Sequence, residues 1–381
     1  MSSHPKIDDD FNYNLFQQIY CLSMASNIVG KTEGTEANLQ AAMKQALNQK
    51  LPILTGSWAL SWGPRVYQEQ DPDSPKGGPD NAWFAAVDDT QKICVVAIAG
   101  TASNSDVDLH QDIDVKDVVN FNAWVDQWSA QGIAKPTVSV PDPNTSSQLP
   151  YCSKGTCAGV YNILSNVSTE SGEGTRIDQY LRDLDSSYTV VFTGHSLGGA
   201  LAPVSALGLV KKNLIGNKNV KIVPSAGVSP GNDKFAADYA AALPKDTQPG
   251  PGYSVYNVDY YNVFDVVPQA WSISPSDDRN LNNILTEILH CSDSLKPTAE
   301  FFWGLAFDDS KNSNIRYTPL PGESFTAQPP PTLIDTWGEL LNVVSYEHVI
   351  AYWEELGITE FMNQFNDKFR RGLRRRGPSA V

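Results

Sequence analysis

The sequence contains no uninterrupted apolar stretch of the roughly 18 residues that a transmembrane helix needs, so no such span is expected. Basic residues are scarce: 28 Lys and Arg against 43 Asp and Glu give a formal net charge of −15. A phosphate backbone needs a basic face, and this balance excludes nucleic acid as a partner. Cysteine is sparse as well, with five in 381 residues. An odd number argues against a complete disulfide framework, and no Cys/His spacing suits zinc, so no metal is expected. Cys21, Cys94 and Cys291 lie in apolar or helical surroundings and read as buried thiols. Cys152 and Cys157, in Tyr-Cys-Ser-Lys-Gly-Thr-Cys, are spaced to close a short loop in an oxidising compartment. The first ten residues are polar and acidic where a signal peptide has a basic start and an apolar run. Cytoplasm is the default expectation, with export from a trimmed precursor or by another route left open.

Hydrophobic residues make up 41% and charged residues 19% of the chain, a composition that supports a packed core and excludes a disordered chain. Residues 93–99 form a continuous apolar run rich in β-branched side chains that stops at Gly100, the mark of a strand buried on both faces. Runs at 188–193, 220–228 and 253–263 repeat the pattern. Helical segments are expected at 8–30, 35–50, 160–167, 176–184, 200–211 and 234–242. Buried strands alternating with helices predict the α/β class: a mainly parallel central sheet flanked by helices, in one domain over 1–381. Two stretches break the rhythm with prolines and polar residues. Residues 102–155 read as a lid and loop insertion, and 270–340 as a second insertion. Lys368, Arg370, Arg371, Arg374, Arg375 and Arg376 make 368–381 a basic C-terminal tail, read as a solvated segment.

Gly194-His-Ser-Leu-Gly198 follows one buried run and opens an Ala/Leu-rich helix. In that context Gly-x-Ser-x-Gly is a strand-to-helix turn with strained dihedrals that lifts the serine hydroxyl clear of the sheet edge. The helix N-terminus beneath it supplies a positive dipole end and free N–H groups. Ser196 is the candidate nucleophile. The longer run Thr193-Gly-His-Ser-Leu-Gly-Gly-Ala-Leu-Ala202 resembles the elbow of the class 3 lipases, the fungal-type triacylglycerol lipase family. The likeness spans about 90–270 and resumes near the C-terminus. It implies an α/β-hydrolase fold with lid and insertion loops.

In such a fold the acid and then the base follow the serine in the chain. Asp265 ends an apolar strand, where a carboxylate can accept the imidazole N–H. Asn262, Asp265, Val267 and Pro268 also match the family's Asn-x-x-Asp-x-Val-Pro motif. Asp259 is the rival on the same strand. Of the five histidines, His4 lies in the N-terminal tail, His110 precedes the serine, and His195 adjoins it and points away. His290 lies in a segment spaced like a packed helix. His348, in Ser345-Tyr-Glu-His-Val-Ile-Ala-Tyr352, is late in the chain and resembles the family's C-terminal histidine segment, so it is the preferred base, with His290 second.

Acyl transfer also needs donors aimed where negative charge develops. The backbone N–H of Leu197 is one. Thr101, in Ala99-Gly100-Thr101, resembles the family's oxyanion turn, though Ala99 stands where arginine is common and leaves that loop with less local support. Residues 102–115 take the position of the family's lid, with Asp112 resembling its closing aspartate. Asp106, Asp108, Asp112 and Asp114 alternate there with Val107, Leu109, Ile113 and Val115, so a helix would scatter charge round its axis. Weak interfacial activation is therefore expected, unless the working lid is the more apolar 115–125. The resulting expectation is a serine carboxylester hydrolase using Ser196, Asp265 and His348 through an acyl-enzyme, with Thr101 and Leu197 as oxyanion donors. No cofactor is implied. The partners are an acylglycerol or other carboxylic ester and a lipid interface. Phospholipase A1 and feruloyl or small-ester esterase activities share the chemistry; a non-catalytic binding protein is the reading from another class.

Overall fold

The computed structural model describes residues 12–69, 72–102, 114–142 and 144–365. The lid segment with His110 and Asp112, His4 and the basic tail lie outside them. Among the described residues the apolar runs become a seven-stranded sheet. In chain order its strands are β1 (Trp58–Tyr67), β2 (Asn81–Asp88), β3 (Ile93–Ile98), β6 (Thr189–His195), β7 (Asn219–Ser225), β11 (Asp259–Asn262) and β13 (Gly322–Phe325). They lie side by side in that same order, with β1, β2 and β3 antiparallel and β3 through β13 parallel. Every residue of β3 is buried, as a central strand of small and β-branched residues requires. A four-stranded sheet of β4 (Val118–Asn120), β5 (Tyr151–Ser153), β8 (Gly231–Asn232) and β12 (Tyr317–Thr318) lies beside it.

Alternation along the strands sends the two side-chain rows to different helices. Cys94, Val96 and Ile98 join the cluster of α4 (Lys154–Ser165) and α6 (Leu197–Lys211). Val95 and Ala97 join that of α1 (Leu15–Ala25), α2 (Glu36–Lys50), α10 (Ala351–Glu355) and α11 (Thr359–Phe365). The remaining helices are α3 (Phe121–Val125), α5 (Ile177–Asp183), α7 (Asp233–Ala242), α8 (Lys296–Asn312) and α9 (Trp337–Ser345). The start of α1 is set by a capping box: the Asn14 side chain accepts from the Gln17 N–H, and Gln17 accepts from the Asn14 N–H.

Four sequence expectations need correction. The run at 253–263 is two short strands, β10 (Val255–Tyr256), which pairs with β9 (Asp246–Thr247), and β11, because Asn257 sits in the left-handed region at φ 66°. Asn tolerates that conformation, and its amide caps the Ile222 N–H and the Pro244 carbonyl. The stretch 270–340 contributes β13 to the central sheet and folds a 17-residue helix, α8. Residues Val115, Val118, Val119, Phe121, Trp124 and Val125 are buried in the cores, so they offer no exposed lid face. Cys291 is only half-buried, while Cys21, Cys94, Cys152 and Cys157 are buried; all five are free thiols.

Candidate active site

Parallel strands ending together create a crevice at their carboxyl edge, and the candidate residues meet there. Ser196 leaves β6 with φ 62° and ψ −130°, a strained conformation for a residue with a Cβ. The main chain around it enforces the turn. The Ser196 N–H donates to the Ser225 carbonyl at 3.0 Å, and the Gly199 N–H donates to the Ser196 carbonyl at 2.8 Å. A Cβ on Gly199 would lie 2.4 Å from the Ser225 oxygen, so only glycine lets α6 start this close to β7. Leu197 is the first residue of α6, and an N–H at that position has no acceptor within its own helix.

Asp265 and His348 complete a line of hydrogen bonds. His348 Nε2 is 2.8 Å from Ser196 Oγ, and His348 Nδ1 is 2.8 Å from Asp265 Oδ2. A carboxylate only accepts, so Nδ1 carries the proton and Nε2 is left to accept from the serine hydroxyl. Asp265 is fully buried and further held by the Val267 N–H at 3.0 Å and the Tyr352 hydroxyl at 2.9 Å. Tyr352 in turn accepts from the Asn262 N–H at 3.0 Å.

His348 lies in a π-helical turn, Tyr346–Ile350, between α9 and α10, the kind of local widening that recurs at functional sites. Its carbonyl accepts from His195 Nε2 at 2.6 Å. That bond gives His195 Nε2 the proton and leaves Nδ1 as an acceptor, with Ser225 Oγ at 3.0 Å and the Tyr20 hydroxyl at 3.1 Å in reach. Burial pushes the His195 imidazole well below its usual range, so this ring is neutral at neutral pH. Next to His348, Glu347 is buried with its Oε2 on the Asn262 amide at 2.7 Å. Burial, with a contribution from Asp265, raises its carboxyl to about 7.

The candidate oxyanion turn at Gly100 and Thr101 also reaches the serine. A Cβ on Gly100 would stand 3.0 Å from Ser196 Cβ, which puts Gly100 and the adjoining Thr101 against the elbow. Support for that turn comes from Asn27, whose Oδ1 accepts the Gly100 N–H at 2.8 Å. The rivals are occupied elsewhere. Asp259 is buried in an ion pair with Arg279 at 2.6 Å and takes the Gly227 N–H at 3.1 Å. His290 is exposed and lines a separate cavity of about 310 Å³ with Leu285, Leu289 and Lys296.

Tyr20, Asn27, Ser225 and Tyr352 escape a motif reading. Tyr352 stands four residues after His348, so helical spacing in that segment is a usable signal for it. Tyr20 and Asn27 carry none, because they act across more than 70 residues of sequence.

The fold and site define a carboxylic ester hydrolase of the α/β-hydrolase type. Residues 95–274 match the family described as Lipase (class 3), the family that the elbow sequence resembles. The structure titled M37 lipase superposes with a TM-score of 0.66 at 20% identity, covering 95% of this chain and 100% of that one. The nonglycosylated LIP2 lipase of Yarrowia lipolytica is 18% identical over 69% of this chain and 75% of its own, with a TM-score of 0.42. No curated protein matches the chain.

Proposed function

We propose that the chain hydrolyses fatty acyl esters, acylglycerols foremost, by a serine mechanism. Ser196 Oγ bonds to the ester carbonyl carbon as its proton passes to His348 Nε2. The negative charge forming on the carbonyl oxygen is met by the Leu197 N–H and by Thr101. The C–O bond to the alcohol then breaks, and the alcohol leaves with the proton from His348. Water, deprotonated by the same nitrogen, attacks the acyl-enzyme, and the fatty acid departs as Ser196 regains its proton. Asp265 stays ionised throughout and stabilises the imidazolium.

The observation that carries this reading is the pair of 2.8 Å contacts from Ser196 through His348 to Asp265. Residues that act as one unit lose activity together. Ser196→Ala and His348→Ala are each expected to lower hydrolysis of p-nitrophenyl butyrate by about 10⁴-fold or more with the melting temperature unchanged, and His290→Ala is expected to be wild type. Activity surviving in His348→Ala and vanishing in His290→Ala would move the base to His290, and a wild-type rate in Ser196→Ala would remove Ser196 as the nucleophile. A panel of p-nitrophenyl esters from acetyl to palmitoyl, run beside a triglyceride emulsion and a phospholipid, reads out the substrate class.

A further inference from the structure

Among the described residues ten large apolar side chains are exposed, and they are not scattered evenly. Phe301, Phe302 and Leu305 lie on α8, Trp337 and Leu341 on α9, and Leu333 just before α9. The spacings i, i+1, i+4 on α8 and i, i+4 on α9 put each set on one side of its helix. The rings join into a single surface: Phe301 and Phe302 are 5.6 Å apart, and Phe302 and Trp337 5.7 Å. Phe301 is 62% exposed and Phe302 53%, which is unusual for phenylalanine unless something covers it. Residues beneath hold the helices in place: Trp303 donates its indole N–H to the Leu281 carbonyl at 2.8 Å, and Leu340 packs with Ile288 and Ile334.

We propose that this α8–α9 face docks the protein on an uncharged or zwitterionic lipid surface. The inference rests on the ester hydrolase reading above and adds where the aggregated substrate is met. Three observations select a lipid surface as the occupant. First, the face is continuous with the candidate site: α9 runs directly into the π turn that carries His348. Leu341 is seven residues upstream, about 10 Å of helix at 1.5 Å per residue. Second, its composition of Phe, Trp and Leu on short helices suits insertion at the level of lipid headgroups. No described helix is long and apolar enough to cross a membrane, so the contact is with the surface. Third, residues 281–345 hold three basic and eight acidic residues, which repels anionic lipid and leaves neutral lipid as the matching charge. The two lid candidates in the sequence suit this role less well. Residues 102–115 alternate charge with apolar groups in sequence, and the apolar groups of 115–125 are buried.

The test uses the full chain with Phe301→Ser, Phe302→Ser and Trp337→Ser combined, and Val140→Ser, an even more exposed apolar position elsewhere, as the control. Co-sedimentation with phosphatidylcholine vesicles is measured in a Ser196→Ala background, so that hydrolysis plays no part. The triple variant is expected to lose about tenfold or more in vesicle affinity, which matches the removal of a few buried apolar groups. It is also expected to lose about tenfold in rate on a tributyrin emulsion, with turnover of dissolved p-nitrophenyl butyrate within twofold of wild type. Phosphatidylglycerol vesicles are expected to bind more weakly than phosphatidylcholine ones. Unchanged vesicle binding in the triple variant overturns the proposal, as does loss of a dimer on sedimentation without loss of vesicle binding, which would make the face a self-association surface. A wild-type protein that binds vesicles through these side chains yet cleaves no dissolved ester would keep the docking face and remove the proposed function.

Discussion

Ser196 is held by main chain, whereas His348 is held by side chains. Around the serine, the Ser225 carbonyl, the Gly199 N–H and the close approach of α6 to β7 determine the turn. Around the histidine, the restraints are the His195 ring on its carbonyl, Asp265 on its Nδ1, and Tyr352 and Asn262 behind that carboxylate. Main-chain packing is rigid and local, so a nucleophile built this way is sensitive to a single added methyl group. A base held through side chains is spread over several elements, so each contact can be lost with a graded cost.

The sharpest way to break that comparison is Gly199→Ala. Alanine is the better helix former by about 1 kcal/mol, yet here its Cβ meets the Ser225 oxygen at 2.4 Å. Overpacking of about 3 kcal/mol is expected. With it goes a drop of roughly 100-fold in kcat, because the serine shifts with the helix start. A variant with wild-type melting temperature and rate would show that the elbow is looser than its contacts. Tyr352→Phe probes the other side. It takes one donor from Asp265 and leaves the buried Asn262 N–H without an acceptor, at a cost of about 1–3 kcal/mol in stability. The expected result is a kcat lower by about tenfold with KM unchanged; a rise in KM alone would assign Tyr352 to substrate binding.

The smallest expected effect is a pH dependence. The Glu347 carboxyl is raised to about 7 in the fold, above the ordinary 4.5. The folded state therefore binds the proton more tightly than the unfolded chain. The stability this contributes is fully present below about pH 4.5 and is lost as pH rises through about 7. Glu347→Gln keeps an acceptor for the Asn262 amide and removes the titration. Thermal melts of the variant are expected to decline less between pH 4.5 and 7 than wild type, by on the order of 2 kcal/mol. Parallel pH profiles for the two proteins would assign the dependence to another group.

The same contrast explains what could be read in the sequence. The elbow is a local main-chain device, so Gly194 to Gly199 announce it, and the parallel order of the sheet follows from its buried runs. Asp265 and His348 are legible through short motifs and chain order. Their supports are not: Tyr20 and Asn27 reach the site from α1, and nothing in their neighbours marks them. β13 was missed because Gly-Glu-Ser-Phe has no apolar run and pairs along one edge only, with β11. α8 was missed because its exposed phenylalanines blur the amphipathic pattern that marks a surface helix.

The contact between base and nucleophile spans 152 positions of the chain. At 5–20 residues per second of synthesis, the serine is added roughly 8–30 s before the histidine. If the proposed mechanism holds, the serine has no group to take its proton through that interval. On the proposed mechanism, a chain that ends anywhere between the two residues carries the elbow sequence and is expected to show no ester hydrolysis.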